Sequence, residues 1–176
     1  MNSKKVEILN EIIKTHNQYK RSQLWTDISV VLKCDMKEAA SKAKTHCNMI
    51  SFYAILYAAG KFDNHYRDFY EFCLENNFCD KEGFMQDKHD ILSALGIESE
   101  LLKYRDYNEL LHCAGILDKD KFYQVKIKAD THGDHFMAAY FDGINVYISD
   151  TSYRGIAQVS AKYINRDNFQ FIMEVV

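Results

Sequence analysis

The stretch from residue 48 to residue 59 (NMISFYAILYAA) carries no charged side chain and stops at Gly60. A helix with no charged face has to be buried on every side, so this run specifies a central helix that the rest of the chain must wrap. It is shorter than the roughly 20 apolar residues that cross a bilayer. Gly60 suits the left-handed residue that closes a helix. Cys47 stands at or just before the first turn of this helix.

The elements around it follow from spacing and caps. Residues 5–19 read as an amphipathic helix, with Val6, Ile8, Leu9, Ile12 and Ile13 on one stripe. Leu24 to Leu32 is apolar but of open type. Residues 35–44 (DMKEAASKAK) are polar and rich in alanine and lysine, as an exposed helix would be. A further helix is expected over 64–76 with Asp63 as its N-cap, and short ones after Asp87 and Asp106. The period then changes. FYQVKIK (122–128) alternates, HFMAAYF (135–141) is nearly continuous apolar, INVYIS (144–149) alternates again, and QFIMEVV (170–176) closes the chain. Helices followed by a mostly antiparallel sheet make the fold class α+β. No repeat, low-complexity tract or composition shift marks a linker, so residues 1–176 are expected to form a single domain, with 1–40 as a helical extension and 41–176 as the core.

Asp142-Gly143 separates two of the strands and is a strong signal for a two-residue hairpin. Taken so, the turn pairs Phe141 with Ile144, and counting outward sets His135 opposite Asp150. Cross-strand neighbours share a face, so Asp150 would orient the imidazole of His135.

The chain has five cysteines, Cys34, Cys47, Cys73, Cys79 and Cys113, with no CxxC spacing, and its N-terminus is too broken by Glu7, Asn10 and Glu11 for a secretory signal. An odd number in a chain read as cytoplasmic argues against a disulfide framework. Cys73, Cys79 and Cys113 read as core residues, and Cys34 precedes an exposed helix. A thiol at a helix N-terminus beside an imidazole is the arrangement that makes a nucleophile. Cys47, His135 and Asp150 are therefore the candidate catalytic set, with Cys47 as nucleophile, His135 as general base and acid, and Asp150 as the orienting group. His132, Asp134 and His135 could alternatively bind a metal, but no further ligand stands at a defined spacing. No metal and no cofactor is expected. Tyr53, Tyr57, Tyr147 and Tyr153 are either core or the lining of a cleft.

At these same residues the chain resembles the papain-like cysteine peptidase superfamily, closest to its compact C39-like members and their bacterial and phage relatives. CNMISFYAILYAAG is similar to their nucleophile helix. HFMAAYFDGINVYISDTSYRG is similar to their His strand, turn and Asp strand, and DILSALGIESELLKYRDYNELLHCAGILDKDKFYQVKI to the segment between. The resemblance spans residues 40–160, and residues 1–40 match no family segment. It implies a papain-like fold and thiol-dependent cleavage of a peptide or related amide bond through an acyl-enzyme. It also implies a departure: the family's glutamine a few residues before the cysteine, part of its oxyanion hole, is replaced here by Ser41 and Lys42. The backbone N–H of Cys47 could supply one oxyanion donor, and Gln23, Asn48 and His46 are candidates for the other. The missing glutamine leaves open an inactive papain-like binding module, and the same triad would equally serve an acyl-transfer or deamidating enzyme.

Charge limits the partners. With 25 acidic and 22 basic side chains the formal net charge is −3, without the basic surplus of a generic nucleic-acid binder. The expected partner is a peptide or protein substrate, with no nucleic acid and no membrane span.

Overall fold

The computed structural model describes residues 3–18, 20–112, 117–129, 133–149, 156–158 and 164–176. Its helices are α1 (Ser3–Gln18), α2 (Lys20–Leu32), α3 (Met36–Ala43), α4 (Cys47–Ala58), α5 (Tyr66–Glu75), α6 (Lys88–Ala94) and α7 (Tyr107–His112). Its strands are β1 (Lys103–Tyr104), β2 (Lys121–Ala129), β3 (Gly133–Phe141), β4 (Val146–Ser149), β5 (Ile156–Gln158) and β6 (Phe169–Glu174). They form one antiparallel sheet in the order β1-β6-β2-β3-β4-β5, so the fold is α+β. No helix among the described residues is long and apolar enough to cross a membrane.

The charge-free run is α4, and it is buried as its composition requires. Met49, Phe52, Ala54, Ile55 and Leu56 are wholly inaccessible. The helix lies across β3 and β2 and also touches α1 and α5. Removing a ring such as Phe52 from this position costs about 3–5 kcal/mol. The same core takes in Leu9 from α1, Leu24 and Ile28 from α2, and Ala39 from α3. The segment of open type before residue 33 is thus helical: Leu24 and Ile28, four apart, lie on one inward stripe.

Local chemistry sets most helix starts. Asp35 accepts from the Glu38 amide (2.8 Å), Asp87 from His89 (2.8 Å) and Asp106 from Asn108 (2.8 Å). The cap expected at Asp63 falls elsewhere. His65 is the N-cap of α5, and its amide is held by the Asp68 carboxylate at 3.1 Å.

Both faces of the sheet are covered. Phe122, Ala138, Tyr140, Phe171 and Met173 face the helical layer. Tyr123, Val125, Met137, Ala139, Phe141, Val146 and Ile148 form a second core with Leu110, Leu117 and Ile164. That explains why β3 reads as continuous apolar rather than alternating. Pairing between β2 and β6 shifts register between Lys126 and Ile127, so Lys126 faces Phe171 and Ile127 faces Phe169. The irregularity keeps Phe171 with the helical core and Phe169 against the second core.

The hairpin differs from expectation. The Asp142 carboxylate accepts from the amides of Ile144 (2.8 Å) and Asn145 (2.7 Å), so residues 142–145 form the turn and Ile144 stands 78% exposed. The ladder runs from Phe141↔Val146 to Ala138↔Ser149. Residues 138–141 of β3 are therefore each offset by two positions from the partner that a two-residue turn would assign. The counting that set Asp150 opposite His135 does not hold, and Asp150 itself lies outside the described residues.

Candidate active site

Cys47 opens α4, so its thiol sits at the positive end of a buried helix dipole. The thiol is hydrogen-bonded to the side chain of His135 and to the backbone amides of Phe136 and Asn48. His135 and Phe136 are successive residues of β3, whose side chains leave opposite faces of the sheet. A sulfur that meets one residue's ring and the next residue's N–H reaches the strand at its edge, not over its face. Among the described residues, β4 pairs with β3 from Phe141↔Val146 to Ala138↔Ser149.

The electrostatics of the thiol are a contest. Burial is the largest influence and pushes its pKa up. The hydrogen bond from His135, the Phe136 amide, the charge of His135 and the Asn48 amide all pull it down, and together they prevail. The other thiols differ. Burial, with the carboxylates of Glu38 and Asp35, pushes the Cys34 thiol up. Asp35 is the N-cap of α3, so Cys34 lies outside that helix. Buried Cys73 is pushed well up by the hydrogen bond its own thiol gives to the neighbouring sulfur of Cys79 and by burial. Cys113 lies outside the described residues.

A polar clamp holds the first turn of α4. Gln124 of β2 is fully buried, and its Nε2 donates to the Asn48 carbonyl (3.1 Å), Asn48 Oδ1 (3.0 Å) and Ser51 Oγ (2.7 Å). Ser51 Oγ in turn donates to the Cys47 carbonyl at 2.8 Å. Gln124 Oε1 accepts from Lys88 Nζ at 2.6 Å. The Lys88 ammonium lies 4.8 Å from the centroid of Phe136 and 5.8 Å from that of Phe52. Burial, followed by repulsion from Lys103 and Lys126, lowers its pKa to about 7, while the charge of Cys47 pulls the other way. Neither Gln124 nor Lys88 was among the sequence candidates. One signal was available: Phe122, Gln124 and Lys126 share a strand face, which puts two polar residues where a helix must pack.

The three oxyanion candidates are placed differently. The Asn48 side-chain oxygen is taken by Gln124, and its backbone amide meets the thiol. Gln23 donates to Asp27 at 3.0 Å, one turn along the same helix. His46, next to Cys47 in sequence, turns its fully buried ring into the core. Its Nδ1 lies 2.5 Å from Tyr66 Oη, its Nε2 has no partner, and Tyr70 packs edge-on at 4.8 Å. Gly83 lies against the same ring, where a Cβ would come within 2.7 Å of His46 Cδ2. His46 is a core histidine and does not face the thiol.

The alternative metal reading falls on His132, Asp134 and His135. Asp134 binds Lys126 Nζ (2.7 Å) and Gln170 Nε2 (3.0 Å), and His132 lies outside the described residues. No group of three ligating side chains occurs among the described residues.

A cavity of about 900 Å³ opens between α1, α2, α4 and α5. Tyr53, Tyr57, Gln23 and Asp27 help line it, and its wall includes no cysteine. Tyr53 is nonetheless buried and donates to the Asn64 carbonyl at 2.9 Å. Tyr147 packs on the helical core, and Tyr153 lies outside the described residues.

Comparison with protein-family models, with curated proteins and with solved structures finds no match to this chain in any of the three.

Proposed function

We propose that this protein is a cysteine hydrolase of papain-like type that cleaves a peptide or related amide bond. The observation that carries the reading is the lowered thiol of Cys47 at the start of a buried helix, bonded to the imidazole of His135. Cys34 and Cys73 are both pushed the other way.

The chemistry follows from that pair. The Cys47 thiolate attacks the amide carbonyl carbon, and the oxyanion forms near the backbone amides at the start of α4. The His135 imidazolium gives its proton to the leaving nitrogen as the C–N bond breaks, which leaves a thioester. Water then attacks the thioester, His135 takes the water's proton, and the acid leaves with the thiol restored. Asp150 is the orienting acid in this reading. Replacing water by an amine would turn the same steps into acyl transfer.

The test is alkylation by iodoacetamide across pH, with each cysteine followed by mass spectrometry. Cys47 is expected to be the fastest thiol at neutral pH, with a midpoint below the ordinary value of about 8.5. His135→Ala should slow it and move the midpoint upward. A midpoint for Cys47 at or above that of a free thiol, or no change in His135→Ala, would sink the reading.

A further inference from the structure

Beside the thiol, cations and aromatic rings alternate along the helix-facing side of the sheet. The strip starts at Phe136, whose backbone amide meets Cys47. Lys88 Nζ lies 4.8 Å from the Phe136 centroid, and Lys126 Nζ lies 5.5 Å from it on the same strand pair. Lys126 is also 5.9 Å from the centroid of Phe171, over which Lys103 Nζ (5.0 Å) and Arg105 Cζ (5.9 Å) stand as well. The register explains the ladder, because Phe136 and Phe171 are the two cross-strand partners of Lys126.

Among the described residues, the strip has more positive charge than neighbouring carboxylates neutralise. Asp134 pairs with Lys126 at 2.7 Å. Among the described residues, no carboxylate lies in ion-pair range of Lys88, Lys103 or Arg105. The excess runs against the overall charge of −3. Aromatic faces attract each cation but do nothing to relieve repulsion between cations, whereas an anion lying across them would.

We propose that this strip is a substrate subsite for a carboxylate carried on, or next to, the acyl residue that Cys47 attacks, held by Lys88, Lys126 and Lys103 over the rings of Phe136 and Phe171. The inference rests on the reading of Cys47 as a nucleophile. It adds the substrate class, an acidic peptide or amide.

Two alkylating agents with the same reacting carbon test it, neutral iodoacetamide and anionic iodoacetate. The readout is the ratio of their rates at Cys47, because a change in the thiol itself moves both rates together and cancels. Cys34, flanked by Asp35 and Glu38, is the reference within the same chain. The iodoacetate-to-iodoacetamide ratio at Cys47 should exceed that at Cys34 and that of a small free thiol by about tenfold, and should shrink with added salt. Lys103 is exposed, so its substitution does not threaten the core. Lys103→Gln should lower the ratio and Lys103→Glu should lower it further. A ratio at Cys47 equal to that of a free thiol, or one that neither variant moves, overturns the subsite while leaving the nucleophile reading intact. Failure of iodoacetamide to label Cys47 at neutral pH overturns both.

Discussion

Lowering the pH should unfold this protein partly through one residue, His46. Its ring is wholly buried, Nδ1 is held by Tyr66, and Nε2 meets no acceptor. An imidazolium donates from both nitrogens, so a second proton on this ring would be buried without a partner. Burial accordingly takes the pKa from 6.5 to about 4; the charge of Glu82 raises it in part and that of Lys42 lowers it. In the unfolded chain the ring titrates near 6.5. Between these two values the unfolded state binds the proton and the folded state does not. The stability is therefore complete above the unfolded pKa and is lost as the pH falls toward the folded one. The slope in that window is about 1.4 kcal/mol per pH unit, so a change from about pH 7.5 to about pH 5 removes roughly 2 kcal/mol. A domain of this kind holds only about 5–15 kcal/mol in total. The assay is urea unfolding followed by fluorescence at several pH values, for the wild type and for His46→Asn. Asparagine keeps an amide group facing Tyr66 but cannot titrate. The variant should be less stable near neutrality, because it loses the ring packing against Tyr70. The gap between the two proteins should then close by about 2 kcal/mol on going to about pH 5. Curves that stay parallel would refute the argument. His46→Asn should also leave the alkylation midpoint of Cys47 in place, since His46 does not face the thiol.

Two further outcomes follow from the same geometry. Gly83→Ala combines a φ of +77° with a Cβ 2.7 Å from the His46 ring, whereas Gly60→Ala has a φ of +69° and nothing within 4 Å. Both should lower the urea midpoint, Gly60→Ala by the left-handed strain of about 1–2 kcal/mol alone and Gly83→Ala by a further 1–3 kcal/mol or so of overpacking; equal losses would contradict the close approach. For Lys88, which faces Cys47, Lys103 and Lys126 and has a pKa lowered to about 7, the charge is present below neutrality and lost above it. The iodoacetate-to-iodoacetamide ratio at Cys47 should therefore fall as the pH rises through neutrality, and Lys88→Met should flatten that fall; a flat wild-type profile would refute it.

Features decided within a few residues were legible in the sequence. A charge-free run has one stable solution in water, so α4 and its burial were readable, and the thiol at its start came with it. The caps at Asp87 and Asp106 are contacts spanning two residues and were readable for the same reason. The hairpin failed on a competition between two local chemistries. Asp-Gly favours a tight turn, but the Asp142 carboxylate can also gather two amides beyond it, and that wider turn prevails. His46 depended on partners 20 and 37 positions away, Tyr66 and Gly83, and nothing beside it in the chain foretold a core histidine. Gln124 and Lys88 were hidden similarly. Each is an unremarkable polar residue until β2 is laid under α4, after which one anchors the first turn of that helix and the other brings charge to it.

The balance at Cys47 allows the contribution of His135 to be separated into its parts. At Cys73 the hydrogen bond its thiol gives to Cys79, joined by burial, drives the thiol well up. At Cys47 burial meets a hydrogen bond, a charge and two backbone amides. His135→Ala removes the bond and the charge together, and the two amides then face burial without support, so the midpoint should move upward. His135→Gln keeps a side-chain donor but no charge. If the hydrogen bond outweighs the charge, as its larger influence on the thiol implies, the glutamine variant should lie nearer the wild type than the alanine variant does. Reactivity need not follow in proportion. Intrinsic nucleophilicity falls as a thiol becomes more acidic, with a coefficient of about 0.4–0.5, while the thiolate fraction stops growing once the pKa is below the ambient pH. Burial that holds the thiol up against its donors therefore preserves attacking power. His135→Gln should consequently lose rate at neutral pH through its smaller thiolate fraction, but match or exceed the wild type once the pH is high enough to ionise both. A glutamine variant that stays slower at every pH would mean that His135 does more to the reacting thiol than set its protonation.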